Sequence, residues 1–278
     1  MPEKKRVHPV RILLGFLLCL LLISNVYPFV WMLISSFKTN AEFAQSMFAL
    51  PKSLYFENYI KAYQMADIGV LFRNTVVVTF TSIVILWLLS AMLGFAITKM
   101  RWRLSGAVLF YVRLGMFIPS FVLLLPQFLM FQQMHLLNSL WALIIVFSTN
   151  ISMSVYLLTG FYRYLPDEVL EASVIDGCSI YRTFVYIVLP MSINGYVTII
   201  MLAFVNIWND LLISQTFVSS ATRRMLQVGL STFLDAKGAR EWGPSFAAIC
   251  MSVFPTLLLY LILNKKIIAG LSSGAVKG

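Results

Sequence analysis

Few side chains of this 278-residue chain have the type and spacing that catalysis requires. His8 and His135 stand alone, and neither an H-E-x-x-H nor a G-x-S-x-G pattern occurs. The terminal segment AGLSSGAVKG lacks the spacing of a phosphate-binding loop. We therefore expect no catalytic residue, no metal ligand and no cofactor bound by this chain. Its polar residues point instead to solute binding and to protein contact.

One polar cluster, NIWNDLL at residues 206–212, interrupts an apolar segment. Polar groups within a membrane helix usually face a cavity or a protein partner. At about 1.5 Å per residue, Trp208 lies roughly 27 Å from Pro190, toward the far end of that segment. The cluster is typical either of an interfacial aromatic residue with polar neighbours or of a gate that faces a solute. The candidates for the second role are Asn74, Asn206, Trp208, Asn209 and Asp210.

A second polar segment, EASVIDGCSIYRTFVYIVLP at residues 171–190, combines acidic residues, one glycine and a closing proline. Pro166 suits the first position of a helix, and the acidic residues after it suit the positive helix end. Gly177 suits the left-handed turn that ends a helix, and Ser179 suits the cap of the next one. The pattern predicts a short helix, a glycine turn and a second helix that enters the apolar region near Pro190.

The predicted short helix has apolar residues on two faces. Leu165, Val169 and Ala172 share one face, and Leu170 and Val174 form a second strip. Such a helix is expected to be contacted from two sides, by its own membrane core and by a second protein. The alternative is a solvated linker, which would not need these apolar residues.

The composition requires that the elements positioning these residues lie in a membrane. Hydrophobic residues make up 60% of the chain, charged residues 12%, and the mean hydropathy is +0.85. A soluble domain has about twice that share of charge. The net charge of +10 does not indicate nucleic-acid binding, because the basic residues form short clusters between apolar runs.

Apolar runs of the length that a bilayer requires predict about six spanning helices in a single all-α transmembrane domain, residues 1–278. Pro119 and Pro126 predict a kink in the third span, either for packing or to line a pathway. Residues 162–190 then form a loop, and 264–278 a tail. The predicted spans are 12–34, 71–97, 104–131, 140–161, 191–213 and 246–263.

Basic residues at the N-terminus, at 99–103, in the 162–190 loop and at the C-terminus alternate so that all lie on one side. The positive-inside tendency makes that side cytoplasmic, with both termini inside the cell. Outside, FENYIKAYQ predicts a short surface helix. The polar segment 216–244, with Gly229, Gly238 and Gly243 as helix breakers, is expected either to receive a partner protein or to be a solvated loop.

The spacing E-A-S, three residues, Gly177, nine residues, Ile187, one residue, Leu189-Pro190 resembles the EAA loop of membrane subunits of binding-protein-dependent ABC importers. Only Ser173 departs from it, in place of alanine. The resemblance covers essentially the whole chain: ENY, NT at 74–75, WND at 208–210 and GLSSGAVKG are similar to the second membrane subunit of maltose-type importers in the carbohydrate-uptake branch.

The resemblance implies a multi-pass subunit of the cell membrane that is not an enzyme. Its implied partners are an ABC ATPase dimer that uses ATP and Mg, a second homologous permease subunit, an extracytoplasmic solute-binding protein and a carbohydrate. It also implies a coupling role for one loop and an ATPase-directed role for the tail. The coupling residues would be Glu171, Ala172, Ser173, Asp176, Gly177 and Pro190, and the tail residues Gly270, Gly274, Lys277 and Gly278.

Three alternatives remain at this point. The chain could serve an importer of another polar solute, since one polar patch does not identify a sugar. It could be a secondary transporter, although that class typically shows inverted repeats and intramembrane charge pairs, which are not clear here. A membrane-embedded enzyme is disfavoured by the missing catalytic pattern.

Overall fold

The computed structural model describes residues 9–100, 102–237 and 241–275, and within these ranges the chain is helical, without a strand. A π-helical stretch, Phe184–Val188, and a 3-10 turn, Ala221–Arg223, interrupt the series. In chain order the α-helices are α1 (Pro9–Ser35), α2 (Asn40–Gln45), α3 (Glu57–Met65), α4 (Ile68–Lys99), α5 (Ser105–Phe117), α6 (Leu124–Gln133), α7 (Leu140–Thr149), α8 (Ser152–Arg163), α9 (Asp167–Ile175), α10 (Ile180–Thr183), α11 (Leu189–Met191), α12 (Ile193–Trp208), α13 (Leu212–Phe217), α14 (Leu226–Lys237) and α15 (Trp242–Ala275).

Four segments of the described chain are long and apolar enough to cross a membrane: Leu13–Ser35, Ile68–Lys99, Leu140–Arg163 and Trp242–Asn264. A fifth crossing is possible for the pair Ile180–Met191 and Ile193–Trp208, which is bent by 77°. The all-α, multi-pass membrane class predicted from the composition is therefore confirmed.

The predicted third span, 104–131, is not one kinked helix but two helices. α5 ends at Phe117, and Ile118 is extended, with φ −88° and ψ 111°. Pro119 explains the break, because a proline disfavours helical backbone in the residue before it and cannot donate a hydrogen bond. Pro126 lies in the first turn of α6, where a proline is tolerated.

Two further predicted spans differ from the observed helices. The predicted fifth span, 191–213, ends early, because α12 stops at Trp208 and α13 begins only at Leu212. The predicted last span, 246–263, is part of the longer α15, which runs to Ala275 and so includes most of the predicted tail, 264–278. Lys277 and Gly278 lie outside the described residues.

The described chain divides into two compact units, Met1–Ile68 with Leu230–Val253, and Gly69–Gly229 with Phe254–Gly278. In the first, the predicted surface helix is confirmed as α3. Its buried residues are Asn58 and Ala62, and the amide of Asn58 donates to the carbonyls of Ser36 (2.8 Å) and Lys38 (2.9 Å). Of the residues that predicted this helix, Phe56 and Tyr59 pack on Phe37, with ring centroids 5.2 and 5.5 Å away, whereas Ile60 and Tyr63 are exposed.

In the second unit, α4 packs through a face of small polar residues, which allow close helix approach within a membrane. Gly229, predicted to break a helix, lies inside α14 instead. A β-carbon there would collide with the Leu71 side chain. The glycine is therefore required by close packing. Buried polar residues on the α4 face are Asn74, Thr75, Thr79, Ser82 and Ser90.

Candidate functional site

The segment that resembles the EAA loop folds as predicted, into helix α9, a glycine turn and helix α10. Pro166 is the N-cap, one residue before its predicted place, and Asp167 and Glu168 occupy the first turn. Gly177 has a φ of +77°, in the left-handed region. The Cys178 amide donates to the Ser173 carbonyl at 2.9 Å, and the Gly177 amide to the Val174 carbonyl at 3.0 Å, which is a Schellman motif.

Backbone conformation, and not space, selects glycine at position 177. A β-carbon there would meet no atom within 4 Å. A left-handed residue with a side chain costs about 1–2 kcal/mol. The next helix begins as predicted, because the Ser179 hydroxyl accepts a hydrogen bond from the Arg182 amide at 3.4 Å.

Helix α9 presents different residues to its own chain and to solvent. Leu170 packs against a hydrophobic cluster of the membrane helices, and Ser173 is buried. On the opposite side Glu168, Glu171 and Ala172 are exposed, and Ile175 is 85% exposed. Val174, 66% exposed, extends this apolar surface on α9.

Ser173, the residue that departs from the EAA pattern, links α9 to α10. Its hydroxyl lies 2.7 Å from the Leu170 carbonyl and 2.9 Å from the Thr183 hydroxyl. A serine hydroxyl has one proton. Ser173 therefore donates to Leu170 and accepts from Thr183. Both side chains are buried, so this pair has no competition from water.

Lys99, the last residue of α4, holds the other end of α9. Its ammonium group donates to the Leu165 carbonyl and to Asp167 Oδ1, both at 2.7 Å. The Lys99 side chain is 9% exposed and the Asp167 side chain 51% exposed. The ion pair thus bridges Pro166, where the backbone of the segment turns.

A groove of about 440 Å³ runs between α9, α10 and the C-terminal end of α4. Its wall combines apolar side chains with the Lys99–Asp167 pair and with the carboxylate of Glu171. Such a surface fits a protein side chain better than a polar solute. The lining residues are Phe95, Lys99, Asp167, Leu170, Glu171, Val174, Ile175, Ile180 and Thr183.

Beneath α9 three membrane helices meet at a buried tyrosine pair. The Tyr162 hydroxyl lies 3.1 Å from the Ala91 carbonyl and 2.8 Å from the Tyr196 hydroxyl. A β-carbon on Gly94 would lie 3.1 Å from the Tyr162 ring, so glycine allows this approach. The tyrosines join α4, α8 and α12 at the base on which Leu165 and Leu170 pack.

The acidic residues of the segment are available to a partner. Glu168, Glu171 and Asp176 are exposed and form no hydrogen bond or ion pair with the described residues. No group of three or more potential metal ligands occurs in the part of the chain that the structure describes. The segment can therefore present carboxylates and exposed apolar side chains to another protein.

Asn74, predicted as a pathway candidate, is buried and binds the chain itself. Its amide donates to the carbonyls of Thr222 (2.9 Å) and Arg224 (3.0 Å). The neighbouring Thr75 hydroxyl accepts from the Leu226 amide at 2.7 Å, at the start of α14. These contacts hold the segment before α14 against α4.

The WND residues also make contacts within the chain. Trp208 is buried against Phe72 and Phe204, with ring centroids 5.5 and 5.2 Å apart. Asp210 Oδ1 accepts from the amide of Ser214 at 2.8 Å and from its hydroxyl at 2.7 Å, in the manner of a helix cap for α13.

The remaining two candidates are exposed on α12. The Asn209 amide donates to the Val205 carbonyl at 2.9 Å and its oxygen accepts from Gln227 at 3.4 Å. Asn206 makes no hydrogen bond with the described residues. Among the five candidates, Asn206 is thus the one whose side chain is free to meet a solute, and that role stays a prediction.

Sequence reasoning missed Lys99 and Thr183, which hold α9, and Asn138, which holds the outer loop. Asn138 has a φ of +55°; its amide donates to the Ser220 hydroxyl at 2.6 Å and its side-chain oxygen accepts from the Ser220 amide at 3.0 Å. A positive φ at asparagine is not readable from the sequence. The tail residues Gly270 and Gly274 lie in the last part of α15, and Lys277 and Gly278 lie outside the described residues.

Comparison with known proteins places this architecture in a family. The profile of the family described as "Binding-protein-dependent transport system inner membrane component" matches residues 88–265. That range includes α9, both of its attachments and the tyrosine pair.

Curated relatives are similar along most of their length. The diacetylchitobiose uptake system permease protein NgcG of Streptomyces coelicolor is 31% identical over 255 residues, covering 91% of this chain and 84% of that protein. The probable starch degradation products transport system permease protein AmyC of Thermoanaerobacterium thermosulfurigenes is 28% identical over 273 residues, covering 98% and 99%.

A solved structure shares the fold. One chain of a bacterial ABC transporter involved in the import of the acidic polysaccharide alginate aligns with a TM-score of 0.85 and 20% sequence identity, covering 95% of this chain and 99% of that one. Multi-pass architecture, the matched profile and the full-length relatives agree. The chain belongs to the family of inner-membrane components of binding-protein-dependent transport systems.

Proposed function

We propose that this chain is a membrane subunit of an ATP-driven carbohydrate importer and that α9 is the helix through which an ATPase drives it. The observation that carries the proposal is the position of Ile175. This side chain is 85% exposed beside three unpaired acidic residues, on a helix whose opposite face is fastened to the membrane core. The EAA spacing of the same helix supports an ATPase as the protein that covers it.

In the proposed cycle the chain binds no nucleotide and catalyses no reaction. ATP and Mg are used by a partner ATPase dimer, whose closure moves α9. A homologous second permease subunit supplies the other half of the pathway, and the present chain resembles the second subunit of maltose-type systems. Movement of packed helices as bodies then exposes the pathway to each side of the membrane in turn.

Carbohydrate is proposed as the solute because NgcG and AmyC are named for sugar uptake. An extracytoplasmic binding protein would deliver it, and Asn206 would face it in the pathway. Calorimetric titration of the cognate binding protein with mono-, di- and oligosaccharides tests this. If the binding protein binds an amino acid or a peptide but none of these sugars, the solute is not a carbohydrate and this part of the proposal is wrong.

The test of coupling uses Ile175→Asp in the complete importer. The substitution places a charge where the ATPase is expected to bury an apolar group. Loss of an apolar contact at the centre of an interface should weaken co-purification of the ATPase by about tenfold or more. Phe48→Asp changes an equally exposed apolar residue outside α9 and should leave the ATPase bound. An unchanged yield of ATPase with Ile175→Asp would contradict the proposal.

The tail is proposed to reach the ATPase as well. Deletion of residues 270–278 should reduce ATP-dependent uptake while the protein still inserts in the membrane. Uptake at the wild-type rate would contradict a role in ATPase contact for Gly270, Gly274, Lys277 and Gly278.

A further inference from the structure

Helix α9 has no helical continuity with the elements on either side of it. Pro166 precedes it and the left-handed Gly177 follows it, so the backbone bends at both ends. Apart from the packing of Leu170 on the membrane helices, nothing in the backbone prevents a force on the exposed face from tilting α9 alone. Something else must hold α9 in register with them.

We propose that Lys99 and the Ser173–Thr183 pair are positioning residues that fasten α9 at its two ends, so that α9, the inner end of α4 and α10 move as one rigid body. The inference rests on the proposed coupling role of α9. It adds a route by which force reaches α4 and α10 directly, in addition to the backbone connection through α8.

The attachment at the start of α9 is a nearly buried cation with two acceptors. Lys99 reaches the Leu165 carbonyl before Pro166 and the Asp167 carboxylate after it, both at 2.7 Å. Hydrogen bonds from a charged donor are stronger than neutral ones. With its side chain 9% exposed, Lys99 holds both sides of the Pro166 bend at a fixed distance from α4.

The attachment at the end of α9 is a hydroxyl pair that crosses the Gly177 turn. Thr183 donates to Ser173 at 2.9 Å, and Ser173 donates to the Leu170 carbonyl at 2.7 Å. Each side chain is 3% exposed. An alanine at position 173, as in the EAA pattern, has no hydroxyl. This attachment is therefore a property of the present sequence, and a relative with alanine there must do without it.

The first experiment replaces Lys99 in the complete importer, reconstituted in vesicles, and measures solute moved per ATP hydrolysed. Lys99→Met keeps the apolar stem and removes the charge, and should lower that ratio about three- to tenfold while the ATPase still co-purifies. Lys99→Arg should restore most of it. Arg163→Met removes an exposed cation of the same loop and serves as the matched control. An unchanged ratio for Lys99→Met would overturn the proposal at this end.

The second experiment is a double-substitution cycle on the hydroxyl pair. Ser173→Ala and Thr183→Val should each lower the ratio about twofold to fivefold, and the double variant should be no worse than the single ones, because each removes the same bond. Thr183→Ser, which keeps the hydroxyl, should behave as wild type. Multiplicative losses in the double variant would show that the residues act independently.

The third experiment tests joint movement directly. In a background without Cys19, Cys178 and Cys250, the pair Ser173→Cys and Thr183→Cys is oxidised to a disulfide. A body that stays rigid through the cycle should transport at least as well with the bond closed as with it reduced, because the disulfide replaces the hydroxyl hydrogen bond that the substitutions remove. Transport that stops on oxidation and returns on reduction would mean that α9 must move relative to α10, which overturns the proposal.

The outcomes separate this inference from the proposed function itself. If the chain is not driven through α9, Ile175→Asp and all of the above substitutions leave ATPase binding and transport unchanged. If α9 is the coupling helix but is not fastened as proposed, Ile175→Asp removes the ATPase while Lys99→Met and Ser173→Ala leave the transport ratio intact.

Discussion

Backbone geometry, and not contact, selects some single residues of this chain. Gly177 shows this clearly, because there is open space around its α-carbon and a φ of +77°. The same conformation explains why the turn could be predicted from sequence. A glycine just after an amphipathic segment and just before a serine is a local signal, and its partners lie within a few residues.

The first residue-scale prediction compares two substitutions at position 177. Gly177→Val should destabilise the turn by at least about 1–2 kcal/mol, because a β-branched residue is strained at positive φ. Gly177→Asn should be tolerated, since asparagine adopts this region more readily. Co-purification of the ATPase with each variant measures the effect. Equal yields for both would show that turn geometry does not matter for docking.

Asn74 shows the opposite case, in which sequence could not identify the role. An amide at the start of a membrane helix is equally consistent with a solute contact and with a structural one. Its acceptors, the carbonyls of Thr222 and Arg224, lie 148 and 150 residues away in sequence. The role of Asn138 could not be predicted for the same reason, because its partner Ser220 lies 82 residues away in sequence.

A second residue-scale prediction follows from these bonds. Asn74→Ala should lower the stability of the folded protein by about 1–3 kcal/mol, because two hydrogen bonds of about 0.5–1.5 kcal/mol each are lost. The melting temperature in detergent measures this. Asn206→Ala, which removes an exposed amide of the same type, should leave the melting temperature unchanged. A changed solute preference for Asn74→Ala at unaltered stability would assign Asn74 to the pathway instead.

At the scale of elements, the existence of a helix was easier to predict than its continuity. The long apolar runs at α1 and α4 predicted single helices. α4 contains no proline, and α1 is continuous although Pro28 lies inside it. Pro119 was expected to kink the third span, yet it separates α5 from α6. The 77° bend at Ser192 lies two residues after Pro190, and proline is a usual cause of a sharp bend. Pro190 was expected only to mark the entry of a helix into the apolar region, because a proline by itself does not determine whether a helix continues, kinks or ends.

The element-scale prediction concerns α2, which begins with a capping box. Thr39 caps the helix, and the Glu42 carboxylate accepts from the Thr39 amide and, at 2.8 Å, from the Lys52 amide. These two backbone hydrogen bonds lower the pKa of Glu42 below its ordinary value of 4.5. The bond from Thr39 has the larger effect and the bond from Lys52 the next largest. Because the pKa of Glu42 is lowered in the folded protein, its carboxylate stabilises the folded segment fully at a pH above 4.5. That stabilisation is lost as the pH falls through the lowered pKa.

Amide hydrogen exchange measures the consequence. The Thr39 and Lys52 amides should be protected at neutral pH and lose protection as the pH falls below 4.5, after correction for the intrinsic exchange rate. Glu42→Gln should weaken protection at neutral pH, approach the protection of the wild type at low pH, and remove the transition. A wild-type transition well above that pH would require a different titrating group.

For the whole molecule, charge distribution carries information that the fold does not. The net charge of +10 is concentrated in short clusters, and acidic residues are gathered in the α9 segment, where four of the 11 occur between residues 167 and 176. The positive-inside tendency predicts that one face is cytoplasmic and that the loop containing α9 lies on it. The coupling proposal requires this orientation, since ATP is available to an ATPase only there.

Cysteine labelling in intact cells tests the orientation. In a background without native cysteines, Tyr181→Cys places a thiol on the α9 side, and Thr222→Cys places one in the segment before α14; both positions are exposed. A membrane-impermeant maleimide added outside should label Thr222→Cys and spare Tyr181→Cys until the membrane is permeabilised. Labelling of Tyr181→Cys in intact cells would place α9 outside the cell, where no ATPase could contact it.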